Sequence, residues 1–137
     1  MTDDIEEIRR QKLAELRDRA ETGGAEKSAS KSPSEPIRIT DGAELSETVV
    51  EYDLVLADFY ADWCGPCEML EPIVDTISAE TGATVAKIDI DANQQLAAEY
   101  GVRGVPTLVL FADGQPAERL VGMQDEARLR SVIETHT

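Results

Sequence analysis

Apolar residues along the chain are spaced in three distinct ways. Between residues 3 and 21 they form a thin stripe of Ile5, Ile8, Leu13, Leu16 and Ala20 in an otherwise charged segment. That spacing predicts a helix over 3–21, with Asp3 and Asp4 suited to its positive N-terminal end. Residues 22–35, TGGAEKSASKSPSE, show no apolar period and are rich in Ser, Gly, Pro and charge, the composition of a flexible linker. From Ile37 onward, short apolar runs alternate with helical periods. IRIT (37–40) reads as a strand, 42–52 as a helix with Leu45 and Val49 on one face, and DLVLADFYA (53–61) as a second strand. A long helix over 65–81 carries Leu70, Ile73, Val74 and Ile77 at the i, i+3, i+4, i+7 positions, with Pro72 expected to kink it and Gly82 to close it. ATVAKIDI (83–90) is the next strand, and 93–100 a short helix turning Leu96, Ala97 and Tyr100 inward. TLVLF (107–111) and AERLV (117–121) are two more strands, and a last helix faces the core with Leu129, Val132 and Ile133.

This alternation predicts an α/β domain whose sheet is covered on both faces. The nearly unbroken apolar run of 53–61 is what a central parallel strand requires, which leaves Asp58 as a foreign residue inside it. Asp113-Gly114 between the last two strands is a hairpin signal, so those strands should be antiparallel and the sheet mixed. The expected organisation is a charged helix over 1–21, a linker over 22–35 and one globular domain over 36–137. There is no internal repeat.

Composition narrows the function classes. Acidic residues outnumber basic ones 28 to 13, for a net charge of −15. A chain so acidic is poorly suited to nucleic acid, whose phosphates must be neutralised by a basic face. The excess is concentrated in the domain: residues 1–35 carry 9 acidic and 7 basic side chains (−2), leaving 19 and 6 (−13) for residues 36–137. Self-repulsion of that size destabilises a compact chain at low ionic strength and is largely screened at molar salt, which points to a salt-loving, halophilic cytoplasm. No apolar run reaches the ~18 residues of a membrane span. The acidic, polar N-terminus is unlike a signal peptide, so a cytoplasmic location is expected.

Both cysteines of the chain, Cys64 and Cys67, lie in ADWCGPCEML (61–70). A structural zinc site needs four ligands, and the chain offers only this pair and His136; a metal shared between two copies and a pair of inert packing thiols stay open as alternatives. The redox reading has a mechanical basis. Gly65 and Pro66 suit a turn into the helix, with Pro tolerated in a first turn where its missing N–H needs no partner. Residues three apart share a helix face, so the two sulfurs can close a disulfide. The helix N-terminus then favours a thiolate on Cys64 and lowers its pKa, while Cys67, a turn further in, is expected to be less exposed. In that reading Cys64 attacks a substrate disulfide and Cys67 resolves the mixed disulfide. Asp58, its pKa raised by desolvation, is the candidate for receiving the proton of Cys67, and Lys87, the domain's single lysine, would offset its charge from the adjacent strand.

Together, LADFYADWCGPC, VRGVPTLVLF and DGQ resemble the thioredoxin family, over residues 36–137. The resemblance rests on Trp63-Cys64-Gly65-Pro66-Cys67, the Asp six residues before the first cysteine, and GVPT about forty residues on. It implies the thioredoxin fold, a central mixed β-sheet flanked by helices, preceded here by an extra helical arm. It implies that Cys64 is the nucleophile, Cys67 the resolving thiol and Asp58 the buried acid with Lys87 near it. It also implies a cis-proline at Pro106, with Val105 offering its backbone to an extended substrate peptide, and a docking surface completed by Trp63, Gly65, Pro66 and Gly122. The implied function is that of a monomeric reductant of disulfides in client proteins, re-reduced by a thioredoxin reductase, with no cofactor or metal of its own. Two alternatives differ in class: an isomerase or oxidase of the same fold, disfavoured because no histidine stands between the cysteines, and a binding module attached through the N-terminal helix. Two positions depart from the family pattern. Tyr60 stands where many members have Trp, and Glu68 where a basic residue commonly follows the second cysteine.

Overall fold

A computed structural model of the protein describes residues 32–137. The helix expected over 3–21 and the linker up to residue 31 lie outside the described residues. Along the chain the elements are β1 (Ile37–Ile39), α1 (Gly42–Glu51), β2 (Leu54–Tyr60), α2 (Gly65–Glu80), β3 (Thr84–Asp89), α3 (Gln94–Glu99), β4 (Thr107–Ala112), β5 (Gln115–Val121) and α4 (Glu126–Thr135).

One five-stranded sheet, in the order β1-β3-β2-β4-β5, holds the domain together. β1, β3 and β2 are parallel, and β4 and β5 continue the sheet antiparallel, so it is mixed. β2 is the central strand, and every residue in it is buried except the half-buried Tyr60. Side chains alternate across a strand, and β2 sorts its own accordingly. Leu54 and Leu56 join a cluster with Leu70, Val74 and Ile77 of α2 and Leu129, Val132 and Ile133 of α4. Val55, Ala57 and Phe59 join the opposite cluster, with Leu45 and Val49 of α1 and Leu96 of α3. By this alternation Asp58 faces the α2 and α4 side.

Local signals in the sequence set the element ends. Asp41 caps α1 by accepting from the Glu44 N–H at 2.8 Å, and the Glu44 carboxylate reaches back to the Thr40 N–H, a reciprocal arrangement that satisfies two backbone donors. Asp125 caps α4 in the same way through the Arg128 N–H. α2 runs on through Pro72 to Glu80, and its end differs from the sequence expectation. Thr81, in extended conformation, closes the helix: its hydroxyl donates to the Ile77 carbonyl and accepts from the Ala83 N–H. Gly82 is not among the residues with positive φ, so the left-handed glycine cap is not used. At the hairpin, Asp113 (φ 54) and Gly114 (φ 84) take the two left-handed positions a tight turn needs. The turn is only two residues long, so β5 begins at Gln115 and includes Pro116, which an edge strand tolerates. No helix among the described residues is long and apolar enough to cross a membrane.

Candidate active site

Cys64 and Cys67 sit where β2 ends and α2 begins. Cys64 is the N-cap of α2, and its sulfur accepts a hydrogen bond from the Cys67 N–H at 3.2 Å. An N-cap normally uses a side-chain oxygen for this purpose; here the sulfur takes that place at the positive end of a 16-residue helix. The two residues are joined as a disulfide, with a Cα–Cα separation of 5.3 Å. Cys64 is 5% exposed and Cys67 7%, so in this oxidised state the expected contrast between an outer and an inner thiol is absent. The reason is packing: the linked sulfurs form a small cluster with Ala61, and Tyr60, Ile90 and Val105 close around it.

A charge system with two buried members spans β2, β3 and α2. Asp58 on β2 is 2% exposed and stands in register with Lys87 on β3 and Leu108 on β4. Burial raises the Asp58 pKa to about 6; Lys87 pulls it back and Glu71 pushes it up. Among the described residues Asp58 Oδ1 has no hydrogen-bond partner. Lys87 is itself buried, with its ammonium 3.0 Å from Glu71 Oε2 and 4.7 Å from the centre of the Tyr60 ring. A cavity of about 150 Å³ is lined by Cys67, Tyr60, Glu71 and Lys87 among others, so it joins Cys67 to this ion pair.

The remaining candidates surround the disulfide. The Val105-Pro106 bond is cis, Val105 packs against the cysteine cluster, and the Pro106 carbonyl accepts from the Gly122 N–H at 2.8 Å. Gly122 has φ 91, a conformation that L side chains rarely adopt. Gly65 and Pro66 are exposed on the first turn of α2. Trp63 is 69% exposed, its indole N–H donating to Asp91 Oδ2 at 2.9 Å. Among the described residues no group of three or more His, Cys, Asp or Glu side chains is placed to hold a metal ion.

The thioredoxin family model matches residues 36–135. The chain belongs to the thioredoxin family. Among curated relatives, thioredoxin from Chlamydia muridarum is 48% identical over 84 residues, spanning 61% of this chain and 82% of that one. Thioredoxin from Staphylococcus aureus is 39% identical over 102 residues, spanning 73% and 96%. Among solved structures, a point mutant of thioredoxin from Halobacterium salinarum is 59% identical and superposes with a TM-score of 0.76 over 77% of this chain and 94% of that one. The fold is therefore the thioredoxin fold, and with its cysteine pair at disulfide distance the chain is a protein-disulfide reductase.

Three features of the site lie beyond the expectations from sequence: the Glu71–Lys87 ion pair, the Tyr60 ring against Lys87, and the Trp63–Asp91 hydrogen bond. Glu71 left a usable signal. It stands four residues after Cys67, one turn along the same helix face. The other two depend on how the ends of β2 and β3 meet in space, which no local pattern encodes.

Proposed function

We propose that Cys64 is the attacking thiol, Cys67 the resolving thiol and Asp58 the acceptor of the Cys67 proton. The observation that carries this reading is the placement of the Cys64 sulfur at the α2 N-terminus, hydrogen-bonded by the Cys67 N–H. In the reduced protein the same N–H and helix end favour a thiolate on Cys64. That thiolate attacks one sulfur of a client disulfide; a Cys64–client bond forms, the client bond breaks, and the freed client sulfur takes a proton from water. Cys67 then attacks the Cys64 sulfur while its proton passes to the Asp58 carboxylate. The Cys64–Cys67 bond forms, the Cys64–client bond breaks, and the client leaves with two more electrons than it brought. The oxidised pair is the form present in the structure.

The client segment would lie extended against Val105, Pro106 and Gly122, with Trp63, Gly65 and Pro66 framing the sulfurs. Lys87 tempers the charge of Asp58. Two electrons from a thioredoxin reductase restore the dithiol. The protein works as a cytoplasmic monomer, with residues 36–137 as the catalytic domain, 22–35 as a linker and 1–21 as a separate helical arm. A halophilic cytoplasm fits the −13 charge of residues 36–137 and the 59% identity to the Halobacterium protein.

Insulin reduction coupled to NADPH and a thioredoxin reductase tests this assignment. The wild type should turn over, Cys64→Ser should be inactive, and Asp58→Asn should be folded but slow at neutral pH. Full activity in Cys64→Ser contradicts the assignment of the nucleophile.

A further inference from the structure

Lys87 is the only lysine in residues 36–137, and the helix side of the sheet holds its ammonium twice. Glu71 Oε2 accepts from it at 3.0 Å, and the Tyr60 ring lies 4.7 Å away, within cation–π range. The Tyr60 hydroxyl is in turn held by Arg38 at 3.2 Å. Asp58, the register partner of Lys87, has no hydrogen-bond partner at Oδ1 among the described residues. A buried carboxylate beside a buried lysine would ordinarily take that lysine as its ion-pair partner. Here α2 supplies a competing carboxylate, placed one turn after Cys67.

Glu71 also has a position that Asp58 lacks. Its side chain is 51% exposed, whereas Asp58 is buried. Two cavities meet at the Glu71–Lys87 pair: the one of about 150 Å³ that reaches Cys67, and one of about 420 Å³ bounded by Ser34, Arg38 and Asp75. Among the described residues only Glu71 and Lys87 line both.

We propose that Glu71 is a positioning residue of the thiol–disulfide reaction: it draws the Lys87 ammonium to the helix side, withholds it from Asp58, and so keeps Asp58 able to accept the Cys67 proton. This rests on the role given to Asp58 under the proposed function. Glu71 touches neither sulfur and acts through Lys87. Among the described residues the charged groups acting on Asp58 are Lys87 from β3 and Glu71 from α2. β4, β5 and α4 present Leu108, Leu120 and Leu129 to that side of the sheet. Without the Glu71 charge, Lys87 is free to turn to Asp58, the Asp58 carboxylate is stabilised, and it becomes a weaker base toward Cys67.

The test uses the full-length protein with Glu71→Gln, Glu71→Asp, Asp58→Asn and the double variant Asp58→Asn/Glu71→Gln. Carbon-13 NMR of the Asp58 carboxyl in the oxidised state should show its titration midpoint lowered by roughly half a pH unit in Glu71→Gln. Insulin reduction at neutral pH should slow roughly threefold, the same change in proton affinity expressed as a ratio. Glu71→Asp, which keeps the charge, should recover part of both effects, and Glu71→Gln should add nothing in the Asp58→Asn background. An unmoved Asp58 midpoint in Glu71→Gln overturns the inference, as does an equal slowing with and without Asp58. If Asp58→Asn matches the wild type at every pH, the role of Asp58 falls and this inference falls with it. If Asp58→Asn is slow while Glu71→Gln is normal, only the role of Glu71 is lost.

Discussion

The backbone N–H of Cys67 donates to the sulfur of Cys64 across 3.2 Å, within the first turn of α2. One peptide group thus ties the residue proposed to resolve to the one proposed to attack. It also gives the helix end a direct hold on the Cys64 sulfur, which in the proposed reaction carries the negative charge.

In the reduced protein Cys64 should therefore titrate below the ordinary thiol range and before Cys67. Glu68, exposed in the same turn, opposes this with a second negative charge. Across ~8 Å of water that repulsion is only ~0.5 kcal/mol, and molar salt screens it further. Glu68→Lys should lower the Cys64 titration slightly at low salt and hardly at all in molar KCl, followed by the ultraviolet absorbance of the thiolate. A large shift at high salt contradicts this picture, because it would make Glu68 a direct tuning group of the sulfur.

Asp58 makes stability depend on pH. Its pKa rises from 3.8 to about 6 in the folded state, so the folded protein holds a proton that the unfolded chain releases between those two values. Stability accordingly falls as pH rises through that window, and the penalty is complete above the folded pKa. A separation of that size corresponds to about 3 kcal/mol. Asp58→Asn should stabilise the protein by up to that amount at pH ~8 and by little at pH ~4, where the buried carboxyl is already neutral. Urea unfolding at the two pH values measures the difference. An equal gain at both would show that the ionisation of Asp58 carries no penalty.

The acidic surface predicts a salt dependence of the opposite kind to that of a protein held by surface ion pairs. With −13 on residues 36–137, raising KCl to ~1 M shortens the Debye length to ~3 Å and screens the repulsion. The melting temperature should climb from low to molar KCl. A flat profile contradicts the halophilic reading and leaves the charge as plain surface acidity.

Much of this was legible in the sequence because the signals were local. The i, i+3, i+4, i+7 spacing of Leu70, Ile73, Val74 and Ile77 marks one face of α2, and the apolar run around Leu54–Phe59 marks a strand covered on both sides. Asp58 stood out because a carboxylate interrupts that run. Strand ends were less legible, since β5 starts two residues before AERLV once the hairpin uses only two residues to turn. The helix stop at Thr81 was missed because a side-chain hydroxyl does what Gly82 was expected to do. In the site, similar burial of both cysteines could not be read from spacing, because it follows from Val105 and Ile90 arriving from other parts of the chain. The partner of Lys87 was likewise decided in space, between a strand neighbour and a helix residue.

The central claim is that Cys64 attacks and Cys67 resolves. The most direct measurement is to mix reduced Cys67→Ser and reduced Cys64→Ser separately with an oxidised client and map the mixed disulfides by mass spectrometry. Cys67→Ser should accumulate a stable client adduct on Cys64, and Cys64→Ser should form little or none. Equal trapping through Cys67 in the Cys64→Ser variant would contradict the account.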